Sequence, residues 1–127
     1  MGVASIQDRL RKRFLWMSSD EALRAEAEAR LLPGWEMECG MDLEDFGDWQ
    51  EILLRRFLVL DLDDPAIADP IGIVDTLRRE HQLNIPVFCF GGDSDRRLEA
   101  RQARADRFFE REEIADRLED FQKQFGW

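Results

Sequence analysis

Phe57-Leu58-Val59-Leu60-Asp61-Leu62-Asp63-Asp64-Pro65 is the stretch on which the fold turns. Its unbroken apolar run predicts a strand buried on both faces, which is the habit of a central parallel strand. The strand ends on a carboxylate, and open α/β sheets gather their chemistry at the carboxyl ends of parallel strands. Asp61 is therefore the first candidate for a functional residue.

On either side of this run, short apolar segments alternate with amphipathic ones, the pattern of strands joined by crossover helices. Strands are expected over 14–17, 35–39, 57–60, 85–90 and 106–109. Ser18-Ser19-Asp20 can cap a helix carrying Leu23, Ala27 and Leu31, which Pro33-Gly34 stops. A second helix is expected over 43–55, with Phe46, Trp49, Ile52 and Leu53 on one face. Asp69-Pro70 opens a third, whose stripe is Ile71, Val74 and Leu77. A short polar helix over 95–103 follows the exit turn Gly91-Gly92, and the last helix repeats Ile114, Leu118, Phe121 and Phe125. Right-handed crossovers turn this order into a doubly wound, five-stranded parallel sheet of order 2-1-3-4-5, with its switch point between strands one and three. Residues 1–12 read as an N-terminal extension and 13–127 as one domain.

A chain of 127 residues can bury one core without disulfides or a metal. Its 28 acidic against 18 basic side chains give a net charge of −10, which repels phosphate backbones and anionic membranes; nucleic acid and membrane are not expected partners. Cys39 and Cys89 lie in apolar stretches as small hydrophobes, which suits a reducing compartment, and without a signal or spanning segment the expected location is the cytoplasm. His81, the single histidine, has no Cys or His at metal spacing and reads as a helix-end residue. No nucleophile and base pair and no metal cluster is visible, so an enzyme is not expected.

The order of these segments resembles the receiver domain of bacterial two-component response regulators, a CheY-like, flavodoxin-like (βα)5 fold. Residues 13–24 resemble its opening strand, acidic turn and first helix, and 57–65 its phosphoacceptor strand and Asp-x-x-x-Pro loop. Residues 76–92 resemble the Leu-Arg-x-x-His-x-x-Ile-Pro-Val segment into strand four, and 105–114 the last strand and helix. The resemblance places Asp61 at the phosphoacceptor position. It also implies a pocket in which two acidic residues after strand one help hold Mg²⁺. Those positions carry Ser18 and Ser19, with Asp20 one place late and Asp63 nearby, so no resident cofactor is expected and Mg²⁺ binding should be weak or absent. Gly91 replaces the switching hydroxyl, and Phe108 matches the switch aromatic. The position of the conserved lysine falls on Arg111 or, in an alternative alignment, on Glu110.

The expectation is an atypical, stand-alone receiver, a pseudo-receiver working as a protein–protein adaptor in signalling without a phosphorylation cycle. Asp61 would then cap loop amides or pair with Arg111. The resemblance implies a contact face on the fourth helix, fifth strand and fifth helix, also available for a homodimer. That face would display Arg97, Arg101, Arg104, Arg107 and Phe108. Two alternatives stand beside it: a phosphorylatable single-domain response regulator, and an acidic decoy using Asp42, Glu44, Asp45 and Asp48. The basic amphipathic stretch 5–12 could dock a partner or lie free in solvent.

Overall fold

The computed structural model describes residues 6–127. A short helix, α1 (Ile6–Leu10), leads directly into β1 (Lys12–Met17), which starts two residues earlier than apolar spacing predicts. The remaining strands are β2 (Trp35–Cys39), β3 (Leu58–Asp61), β4 (Val87–Phe90) and β5 (Arg107–Phe109). All pairings are parallel and the order is β2-β1-β3-β4-β5. This is the expected doubly wound sheet.

Aspartates start four of the helices. Asp20 caps α2 (Glu21–Glu28), Asp48 caps α3 (Trp49–Ile52), Asp69 caps α4 (Pro70–Asp75) and Asp93 caps α5 (Ser94–Gln102). Each side chain accepts a free first-turn N–H beside the positive end of the helix dipole. The last helix, α6 (Ile114–Gln124), packs with α2 on one face of the sheet. There Phe14, Trp16, Phe57, Val59, Phe88 and Phe121 fill the core. The opposite face is covered by the 42–53 segment, α4 and α5 over Leu15, Leu58, Leu60 and Cys89. Every residue of β3 is buried, as its composition demands.

Three expectations need correction here. The segment 43–55 is not one helix: Leu43–Phe46 forms a 3-10 turn, and α3 is a single turn. Gly47 breaks it at φ 96°, a backbone state open to glycine, and Asp48 then caps a new start. Phe46 and Ile52 are buried, but Trp49 and Leu53 stand exposed. Cys39 is exposed rather than packed as a small hydrophobe. Cys89 is buried, and that burial pushes its thiol up to about 12. On α4, Ile73 joins Val74 and Leu77 in the core, while Ile71 is only partly buried.

Two buried arginines fasten the end of the sheet opposite Asp61. α4 continues as a π-helical segment, Thr76–Glu80, that carries Arg78 inward. Its guanidinium donates to the carbonyls of Leu83 (2.7 Å), Ile85 (3.0 Å) and Arg104 (3.1 Å) and to Asp106 Oδ2 (2.9 Å). Arg56 donates to the carbonyls of Phe125 (2.9 Å) and Trp127 (2.8 Å) and, at longer range, to Leu10 (3.4 Å), with its guanidinium 4.4 Å from the Trp127 ring. His81 ends the π segment, its N–H donating to Thr76 O.

Candidate functional site

β1 and β3 are neighbours at the switch point, so the turn 18–20 and the carboxyl end of β3 open side by side. Asp61 lies there at 1% exposure, and both of its oxygens are engaged. Ser18 Oγ donates to Oδ2 at 2.7 Å. Oδ1 accepts from Arg111 Nη2 at 2.7 Å and from the Asp63 N–H at 3.0 Å. Buried charge is tolerated when paired and hydrogen-bonded in this way.

Arg111 is fixed from three sides. Besides Asp61 it donates to Asp20 Oδ2 at 3.0 Å, and its guanidinium stands 5.1 Å from the ring centre of Phe90. Partial burial alone would lower its pKa, but the hydrogen bond and charge of Asp61, with Asp20 and Asp63, raise it instead. Arg111, not Glu110, therefore faces Asp61; Glu110 is exposed and pairs with Arg97 at 3.2 Å. Asp20, which trails the expected acidic positions by one residue in sequence, joins the site through this arginine while its other oxygen caps Leu23.

The serines hold the turn. Ser18 Oγ accepts the Asp20 N–H at 3.2 Å while donating to Asp61. The Ser19 hydroxyl donates to Asp64 Oδ1 at 2.7 Å, and the Ser19 N–H donates to Asp64 Oδ2. Asp64 is the residue that sequence reasoning missed. It is buried, and it also accepts the Ala66 N–H at 2.9 Å, tying the β3 exit loop to the β1 exit turn. The two adjacent carboxylates Asp63-Asp64 after a strand-end aspartate were the available signal.

Burial would raise the Asp64 pKa, but the Ser19 and Ala66 donors and the charge of Arg111 outweigh it and hold the group below its ordinary value of 3.8. A carboxyl depressed on folding adds stability above its unfolded pKa and loses it as pH falls through the folded one. The stability gap between wild type and Asp64→Asn should therefore be full at neutral pH and close only below about pH 3.8. Urea titrations at pH 7, 5 and 3 measure it; a gap constant down to pH 3 would contradict this role.

Asp63 is exposed and accepts the Gly92 N–H at 2.8 Å, bridging the exits of β3 and β4. Gly91 has φ 72°, and a Cβ placed on it would stand 2.5 Å from Asp63 Oδ2. A serine or threonine at this place would meet both backbone strain and that carboxylate. Phe108 is half-buried against the α4 and α5 side of the core, with the Arg101 guanidinium 5.1 Å from its ring centre.

The expected contact face is changed at one position. Arg97 is not displayed: it donates to the carbonyls of Gly91 (2.9 Å) and Phe109 (3.1 Å) and so fastens the ends of β4 and β5. Arg101, Arg104 and Arg107 are exposed. Arg104 adopts φ 79°, held where its carbonyl meets Arg78.

Most carboxylate oxygens of the site are already engaged within the chain. A cation needs several free hard oxygens. Here Asp61 is taken by a hydroxyl and a guanidinium, Asp20 by a cap and the same guanidinium, and Asp64 by Ser19 and Ala66. Among the described residues no group of three or more His, Cys, Asp or Glu side chains could hold a metal ion. No helix among them is long and apolar enough to cross a membrane.

No family model matches the chain, and no curated protein sequence matches it. Solved structures do. A response regulator signal receiver domain from Bermanella marisrubri superposes with a TM-score of 0.70 at 23% identity, covering 89% of this chain and 96% of that one. The phosphorylated cyanobacterial phytochrome response regulator RcpA gives 0.71 at 11% identity, over 91% and 94%. An orphan response regulator of H. pylori gives 0.63 at 19%, over 87% and 95%. The chain has the receiver-domain fold of response regulators, carrying a serine and arginine network around the aspartate at its switch point.

Proposed function

We propose that this chain is an atypical receiver that signals by binding a protein partner, without a phosphorylation cycle and without catalysis of its own. The observation that carries the reading is the Arg111 guanidinium 2.7 Å from Asp61 Oδ1. The pair satisfies within the chain the charge that a cation and a phosphoryl group would otherwise engage, and Ser18 occupies the second oxygen. Mg²⁺ affinity is accordingly weak. Gly91 supplies no hydroxyl to report a modification.

Partner binding is assigned to the face of α5, β5 and α6. In a chain of net charge −10, Arg101, Arg104 and Arg107 are exposed there without a carboxylate partner among the described residues. Guanidinium groups over aromatic rings suit specific, salt-sensitive recognition: Arg101 stands over Phe108 and Arg107 over Phe109.

Adding Mg²⁺ and beryllofluoride, a phosphoryl mimic, while following Asp61, Gly91 and Phe108 by NMR tests the first half. The expected result is no saturable shift at millimolar magnesium. Stoichiometric binding would instead make the protein a phosphorylatable regulator. For the second half, capture of a partner from the native host should survive Asp61→Asn and be lost with Arg101→Glu plus Arg104→Glu; the reverse pattern would return the function to the acidic pocket.

A further inference from the structure

The broken crossover between β2 and β3 leaves a groove. With only a 3-10 turn and one turn of α3 in place of a long helix, the flank of α4 is uncovered over a cavity of about 580 Å³. Its floor is apolar, from Leu43, Ile52, Ile67 and Ile73, with exposed Trp49 at the lip. Its rim is acidic: Asp42, Glu44, Asp48, Asp69 and Glu80 line it, and none makes an ion pair among the described residues. His81 is the single basic side chain there.

α1 carries a surface of complementary character. On α1, Ile6 is 75% exposed and Leu10 64%, and spacing of one turn puts them on one face. Arg9, Arg11 and Lys12 lie beside them along the chain, Arg11 being paired with Glu36 at 3.0 Å. Arg56 holds the Leu10 carbonyl and the Trp127 carbonyl together, so the short helix is braced against the domain. Among the described residues six large apolar side chains are exposed, and four of them, Ile6, Leu10, Trp49 and Leu53, lie on α1 and at α3. Exposed apolar groups concentrated in two patches of opposite charge mark an interaction between those patches.

We propose that the groove between α3 and α4 receives α1 of a second copy of this chain, with Ile6 and Leu10 entering the apolar floor and the basic residues meeting the acidic rim. Two different surfaces meet, so the contact is heterologous: it grows head to tail unless it closes into a ring. It uses neither Asp61 nor the α5, β5 and α6 face, and it stands or falls independently of the function proposed above.

Sedimentation velocity over a concentration series up to millimolar tests it on the full chain. The weight-average mass should rise above the 15.0 kDa monomer. Leu10→Glu should weaken association about tenfold or more by forcing a charge into the apolar floor. Trp49→Glu should do the same from the other side, and Glu80→Lys is a second groove variant outside the core. All three positions are exposed, so unchanged circular dichroism should accompany the loss. Mixing Leu10→Glu with Trp49→Glu should restore one 1:1 dimer that does not grow, because each variant keeps the half its partner lacks. A wild type monomeric throughout would overturn the proposal. So would association that neither variant weakens, which would move the contact to another face, or a mixture that fails to recover.

Discussion

Arg78→Ala should cost about 2–5 kcal/mol of unfolding free energy, chiefly because it removes the donor from two buried carbonyls, since the Asp106 carboxylate left behind is half exposed. Arg78 is 6% exposed and serves four acceptors at once. Alanine leaves the carbonyls of Leu83 and Ile85 without this donor, and an orphaned buried acceptor costs about 1–3 kcal/mol. The Asp106 carboxylate, which also accepts the Val87 N–H at 2.7 Å, loses its cation. Burial lowers the Arg78 pKa first of all, and Asp106 counters it, so the cation is itself held by the network it closes. Arg78→Lys should fall between wild type and alanine, since an ammonium can reach some of these oxygens but lacks the fork that meets them together. Urea denaturation measures both. An alanine variant within 1 kcal/mol of wild type would show that water replaces the guanidinium without loss.

Phe57→Ala should destabilise by a similar amount, about 3–5 kcal/mol. Phe57 is fully buried and stands at the meeting point of the aromatic core. It stacks on Phe14 with ring centres 4.6 Å apart and meets Phe121 edge-on at 5.7 Å. Trp35 and Phe88 close the cage at 6.0 Å and 5.7 Å. Removing the ring leaves a cavity whose walls are stiff aromatic plates, tied to three strands and α6, that cannot collapse into it. Phe57→Leu should cost far less, about 1–1.5 kcal/mol, by refilling most of the volume. Differential scanning calorimetry should find the alanine variant melting at least about 10 °C below wild type. Equal losses for leucine and alanine would point to ring stacking rather than volume as the stabilising quantity.

The parts of this fold legible in the sequence are those where burial leaves one solution. Leu58, Val59 and Leu60 are apolar on both faces because the strand they form is covered on both faces. Aspartates before amphipathic stretches announced helix starts at Asp20 and Asp69 because the side chain meets its own first turn, a local event. The helix expected over 43–55 failed for the complementary reason. Phe46, Trp49, Ile52 and Leu53 keep helical spacing across Gly47, but a positive φ there and a fresh cap at Asp48 override the period.

The site divides in the same way. Asp61 and Ser18 follow from strand order, since β1 and β3 are neighbours and their exits face each other, while Arg111 reaches Asp61 from the exit of β5 across β4. The partner of Ser19 and the inward course of Arg97 do not follow from it, because they depend on contacts between loops and on which of many rotamers a long side chain takes. Arg111 and Glu110 differ by one residue along the chain, and the three-residue length of β5 decides which of them turns toward Asp61.

A counterion supplied by the same polypeptide neither diffuses away nor hydrolyses. Receivers that take a phosphoryl group carry a clock, because the acyl phosphate has a lifetime and its decay resets the domain. Arg111 puts a permanent charge beside Asp61 from the moment the chain folds, and its duration is that of the protein molecule. On the function proposed above, such a domain has no memory of a past stimulus. Its output follows how many copies exist and how many partners are free to meet them, so its natural time scale is that of synthesis and turnover.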